Sequence, residues 1–94
     1  MKPRPNIERA LARRFSPLAR FRMSRGLRQS DVAVLAGIHE TTVGKIETGV
    51  RFPTDTQVRR CAKALRTTIN RMEELVGRSR YWARTGAEKR IVRP

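Results

Sequence analysis

The run Ala36-Gly37-Ile38-His39-Glu40-Thr41-Thr42-Val43-Gly44-Lys45-Ile46-Glu47-Thr48-Gly49 holds side chains that can do chemistry together. At helical spacing Glu40, Thr41, Gly44 and Lys45 share an outward face, while Val43 and Ile46 take the inward one. The outward face offers a carboxylate, a hydroxyl with a methyl, an ammonium and, at Gly44, no side chain. These groups donate and accept hydrogen bonds but make no nucleophile–base pair. The sole histidine, His39, has no obvious acidic orienter, and no Ser/His/Asp or Cys/His arrangement stands out. No glycine-rich phosphate loop is evident. One cysteine, Cys61, and one histidine cannot complete a tetrahedral zinc site. The expectation is a chain that is not an enzyme, with no catalytic residue, metal or cofactor.

The charge points to the partner class. Lys and Arg number 22 against 8 Asp and Glu, a net charge of +14. Such an excess calls for a polyanion, either nucleic acid or an anionic membrane. No apolar run approaches a membrane span. Ile7, Leu11 and Phe15 make too weak an apolar face for an interfacial helix, so nucleic acid is favoured. No apolar signal segment follows the basic start, and Cys61 forms no intrachain disulfide. Both fit a cytoplasmic, nucleoid-associated location. A chain of 94 residues suits one small domain with a modest core.

Several elements must position the outward face. Residues 1–15 are a basic arm of net charge +4, where Asn6 can cap a short helix bearing Ile7, Leu11 and Phe15. Residues 16–77 are the most mixed and apolar, and are expected to hold the core. Ser16-Pro17 reads as N-cap and first helical position, with Leu18, Phe21 and Arg22 on one face and Gly26 as the stop. A helix over 29–35 turns Val32, Ala33 and Leu35 inward. Ala36-Gly37-Ile38 is a tight turn, and residues 39–47 form the next helix, stopped by Thr48-Gly49. Thr54 caps a helix with Val58, Cys61, Ala62 and Leu65 at helical spacing. Thr68 caps a last helix with Ile69, Met72, Leu75 and Val76 inward and Gly77 as its end. Residues 78–94, of net charge +5, read as a basic, flexible tail. No strand alternation persists, so the fold class is all-α, a five-helix domain between basic N- and C-terminal arms.

Helix, glycine-centred turn and helix is the sequence form of a helix-turn-helix. The longer run RMSRGLRQSDVAVLAGIHETTVGKIETGVRFPTDTQVRRCAKAL is more specific. It resembles the phage-repressor and Cro-like (XRE-type, lambda-repressor-like) helix-turn-helix family. Gly26-Leu27, Gln29, Val32-Ala33, Gly37-Ile38, Val43, Ile46-Glu47, Gly49, Arg51 and Pro53 stand where that family's pattern expects them. Residues 18–77 carry the likeness.

The resemblance implies that Glu40, Thr41, Gly44 and Lys45 meet base edges in the major groove. Lys45 suits guanine O6 and N7, Glu40 a cytosine amino group, and Thr41 a thymine methyl. Glu40 equally suits the helix macrodipole, and Lys45 a phosphate or plain solvent. The resemblance further implies phosphate contacts from Gln29, Thr42, Thr48 and Arg51, with Arg28 able to join them. It implies a partly buried ion pair between Arg22 and Glu47 that braces the reading helix. Four departures stand out. Arg28 and His39 occupy positions where the family favours Ser or Thr caps, and Arg66 one where it often has glycine. Val50 and Phe52 bring an apolar spot to a loop that is usually basic or polar.

The resulting expectation is a sequence-specific, double-stranded-DNA-binding transcriptional regulator. It acts as a repressor, and as a homodimer on a palindromic operator, with Val76, Met72 or the tail at the dimer contact. An antitoxin that binds a toxin and autoregulates its operon is the alternative. A sequence-tolerant nucleic-acid binder driven by the arms is a third reading.

Overall fold

The computed structural model describes residues 5–85; the basic residues Lys2, Arg4, Lys89, Arg90 and Arg93 lie outside them. Six helices follow in order: α1 (Pro5–Arg14), α2 (Pro17–Ser24), α3 (Gln29–Ala36), α4 (Glu40–Glu47), α5 (Asp55–Ala64) and α6 (Ile69–Thr85). No strand occurs among the described residues. The all-helical expectation holds, but among the described residues there is one helix more than five, and the extra one lies in the N-terminal arm. It starts at Pro5, so Asn6 lies inside it and is not its cap.

Local chemistry explains most helix starts. Ser16 Oγ accepts from Ala19 N–H at 3.1 Å, with Pro17 at the first position of α2. Thr54 and Gln57 exchange reciprocal side-chain bonds at the start of α5 (3.0 and 3.1 Å). Thr68 Oγ1 accepts from Arg71 N–H at 3.0 Å before α6. α3 and α4 start without a Ser or Thr, and they differ. At α3 the Asp31 carboxylate accepts from the Arg28 backbone N–H at 2.8 Å. At α4 His39 makes no side-chain cap bond.

Gly37 turns α3 into α4 at φ 69°, which an L side chain adopts only with strain. Ile38 N–H closes the turn on Ala33 O at 3.0 Å. Arg66 takes the same left-handed conformation after α5 at φ 57°, in the place where a glycine would be unstrained.

The core lies where α2 to α6 meet, with Leu18, Val32, Val43, Ile46, Leu65, Met72 and Leu75 nearly free of solvent. Leu35 is 62 % exposed and Ile69 43 % exposed, against the expected inward placement. In α3 the buried positions are Val32, Ala33 and Ala36, and one residue of rotation, about 100°, carries Leu35 outward. Met72 and Val76 are buried within their own chain and offer nothing to a second copy.

The largest correction is at the C-terminus. Gly77 does not end α6, which continues to Thr85 through residues expected to be a flexible tail. Ser79 is fully buried, and its Oγ accepts from Leu18 N–H at 2.9 Å. Trp82 is also buried and donates from Nε1 to Ala12 O at 2.8 Å. These bonds serve an N–H in the first turn of α2 and a carbonyl in the last turn of α1, groups that helices leave without internal partners. Burying a tryptophan side chain contributes about 4–6 kcal/mol. A mid-helix glycine costs about 1 kcal/mol relative to alanine, so continuation wins.

Candidate nucleic-acid interface

One face of α4 is closed and the other open. Val43, Ile46 and Glu47 are buried, while Glu40, Thr41 and Lys45 are exposed. A shallow surface depression brings together Glu40, Thr41, Gly44 and Lys45 with Gln29 and Thr48. A neighbouring groove runs past Arg28, Gln29, Glu40 and Thr48 to Arg14 and Trp82. Thr42 is half-buried and lines neither. Arg51 is exposed in the loop after α4, with its backbone N–H donating to Lys45 O at 3.1 Å.

The orientation of α4 rests on a buried charge cluster. Arg22 meets Glu47 with two parallel bonds, Nε to Oε2 and Nη2 to Oε1, the second at 3.2 Å. Arg22 Nη1 also donates to Leu27 O at 2.8 Å. Gln29 Nε2 donates to Glu47 Oε1 at 2.9 Å. An ionised carboxylate only accepts, so this contact sets the amide orientation of Gln29. The Gln29 link has no signal in the sequence. Its two ends are 18 residues apart, and no sequence period connects the start of α3 to the end of α4.

Some expected donors are already engaged. Thr48 Oγ1 donates to Gly44 O at 2.9 Å, so its single hydroxyl hydrogen is turned back onto α4. Gln29 uses one amide N–H on Glu47 and keeps the other. The Arg28 guanidinium lies 3.4 Å from both oxygens of Asp31 yet stays 82 % exposed. The Arg28 backbone N–H, and then its side chain, hold the Asp31 carboxyl below the usual range. Gly44 is less open than an empty site. A Cβ there would touch Gln29 Nε2 at 3.6 Å, an ordinary contact.

Beneath the cluster, burial and then the Glu47 charge push the Cys61 thiol up to about 11. No group of three or more His, Cys, Asp or Glu able to hold a metal occurs among the described residues. None of their helices is long and apolar enough to cross a membrane.

A family model described as a helix-turn-helix domain matches residues 16–75, more than half of the chain. Comparison with curated proteins and with solved structures gives no match. The matched segment runs from the Ser16 cap through the Gly37 turn and all of α4 into α6. On that match, and with the turn and the two helices in place, the chain belongs to the helix-turn-helix domain family.

Proposed function

We propose that the protein binds double-stranded DNA sequence-specifically as a transcriptional repressor, with α4 lying in the major groove. The observation that carries this reading is the one-sidedness of α4. Its inner face is locked by Val43, Ile46 and the Arg22–Glu47 pair, and its polar outer face stays open on a chain of net charge +14. In this reading Glu40, Thr41, Gly44 and Lys45 approach base edges. Lys45 donates to guanine, and Glu40 rejects phosphate and accepts from cytosine. Arg28, Arg51, Thr42 and the free N–H of Gln29 bind phosphates. Thr48 joins them only after its hydroxyl rotates off Gly44 O.

Two copies reading half-sites about 34 Å apart give a palindromic operator. Selection of bound duplexes from a random pool at near-physiological salt tests this. A palindromic consensus is expected, and a pool without enrichment overturns the reading.

The antitoxin reading draws on a different observation. Val34 and Leu35, side by side on α3, are 81 % and 62 % exposed and offer an apolar spot to a protein partner. A stable co-purifying protein, lost on Val34→Ser with Leu35→Ser, is the result that favours it.

A further inference from the structure

Residues 76–85 of α6 lie beyond the family match, yet they are packed against the turn that follows α4. Gly49 makes this contact: a Cβ there would lie 2.9 Å from Ala83 Cβ and 3.2 Å from Arg80 Cα. One flank of α6 is thereby fixed beside the loop that follows the reading helix. On that flank Arg80 places its guanidinium 4.5 Å from the centre of the Phe52 ring. Arg84 follows one turn later, 6.0 Å from the Tyr81 ring. With Arg51 they make three exposed cations, and no carboxylate pairs with any of them among the described residues.

We propose that Arg80 and Arg84 form a phosphate-binding edge that carries the α4 interface onward along the DNA backbone. This rests on the DNA-binding reading above. The edge is continuous with α4 through Arg51 and Gly49, and its charge is complementary to a duplex backbone. A guanidinium resting on an aromatic ring is already held in place and matches phosphate with two parallel N–H bonds. Phe52, an apolar departure when read in sequence, is the platform that positions Arg80. The contacts are to phosphate, so the edge adds affinity and salt dependence without adding base preference.

The test uses the full chain with a duplex selected from the random pool and a scrambled duplex, titrated by fluorescence anisotropy between 50 and 200 mM salt. Each lost phosphate contact lowers the slope of log affinity against log salt by about 0.9. Arg80→Gln with Arg84→Gln is expected to flatten the slope by about 1.8. The affinity lost across that salt range then shrinks about tenfold. Both duplexes weaken equally, the selected consensus is unchanged, and helix content by circular dichroism is retained. Arg80→Lys with Arg84→Lys is expected to restore the slope.

An unchanged slope in the Gln pair overturns the edge. So does a loss confined to the selected duplex, or a Lys pair that behaves like the Gln pair. A wild-type chain that binds no duplex overturns the DNA-binding reading as well, which separates the two failures.

Discussion

α4 and the second half of α6 both carry a glycine in mid-helix, and the two glycines sit in opposite surroundings. Gly44 is half-buried beside Gln29, on the open polar face of α4. Gly77 points to open space, and nothing in the structure explains it. What holds each helix differs as well. α4 is clamped by a buried ion pair, Arg22–Glu47, with Gln29 as a third partner. The end of α6 is held by neutral bonds from Ser79 and Trp82 that complete α2 and α1. A charged clamp fixes direction, because its geometry is satisfied in only one arrangement. Neutral caps with a tryptophan fix attachment. The helix with the open polar face has the first kind of support, and the helix packed behind it the second.

Glu47 carries the largest expected effect. Glu47→Ala leaves the Arg22 charge buried without its carboxylate and is expected to cost ~3–5 kcal/mol in urea unfolding. Replacing the pair together, Arg22→Met with Glu47→Leu, is expected to cost far less, because no charge is then stranded. A single loss below about 1 kcal/mol would mean that the pair does not clamp α4.

Trp82→Ala is expected to cost a similar ~3–5 kcal/mol through the cavity it leaves. The operator consensus is expected to survive it, measured below the lowered melting temperature. A changed consensus would make the α6 brace part of the reading apparatus.

The glycines give a smaller and cleaner contrast. Gly44→Ala and Gly77→Ala each restore helix propensity and are expected to stabilise by about 0.5–1 kcal/mol. Only Gly44→Ala is expected to weaken binding to the selected duplex. Equal binding by both variants would mean that α4 does not approach DNA closely at Gly44.

The smallest expected effect comes from Cys61, under Glu47. Its thiol titrates near 9.0 when unfolded and about 11 when folded. The folded-state pKa is the higher one, so its stabilising contribution is complete below pH 9 and is lost as pH rises toward 11. Cys61→Ala is therefore expected to show a shallower alkaline decline in unfolding free energy than the wild type. Parallel curves would place the thiol in a wetter site than its burial indicates.

The helix-turn-helix was legible because its signals are local. Gly37 marks the turn, Val43 and Ile46 mark the inner face of α4, and Thr54 with Gln57 marks a helix start. The Arg22–Glu47 contact followed from the family resemblance and not from any period in the chain. The link from Gln29 to Glu47 carried no sequence signal, since folding alone brings α3 and α4 together there.

The second half of α6 is masked in the sequence for an identifiable reason. A glycine among arginines looks like a stop before a tail. The spacing of Met72, Leu75, Val76, Ser79 and Trp82 nonetheless continues one helical face through Gly77. That period, set above a single glycine, is the signal of the extension. Leu35 shows the reverse error, an apolar residue assigned inward although its neighbours Val32, Ala33 and Ala36 already define the buried side.

Base reading by α4, as proposed, stands or falls on Lys45→Ala compared on the selected and scrambled duplexes. Lys45 is exposed and makes no ion pair among the described residues, so its removal leaves the fold intact. The expected loss is ~1–3 kcal/mol on the selected duplex and much smaller on the scrambled duplex, with relaxed preference at one guanine position. An equal loss on both duplexes would contradict it and make Lys45 a phosphate contact.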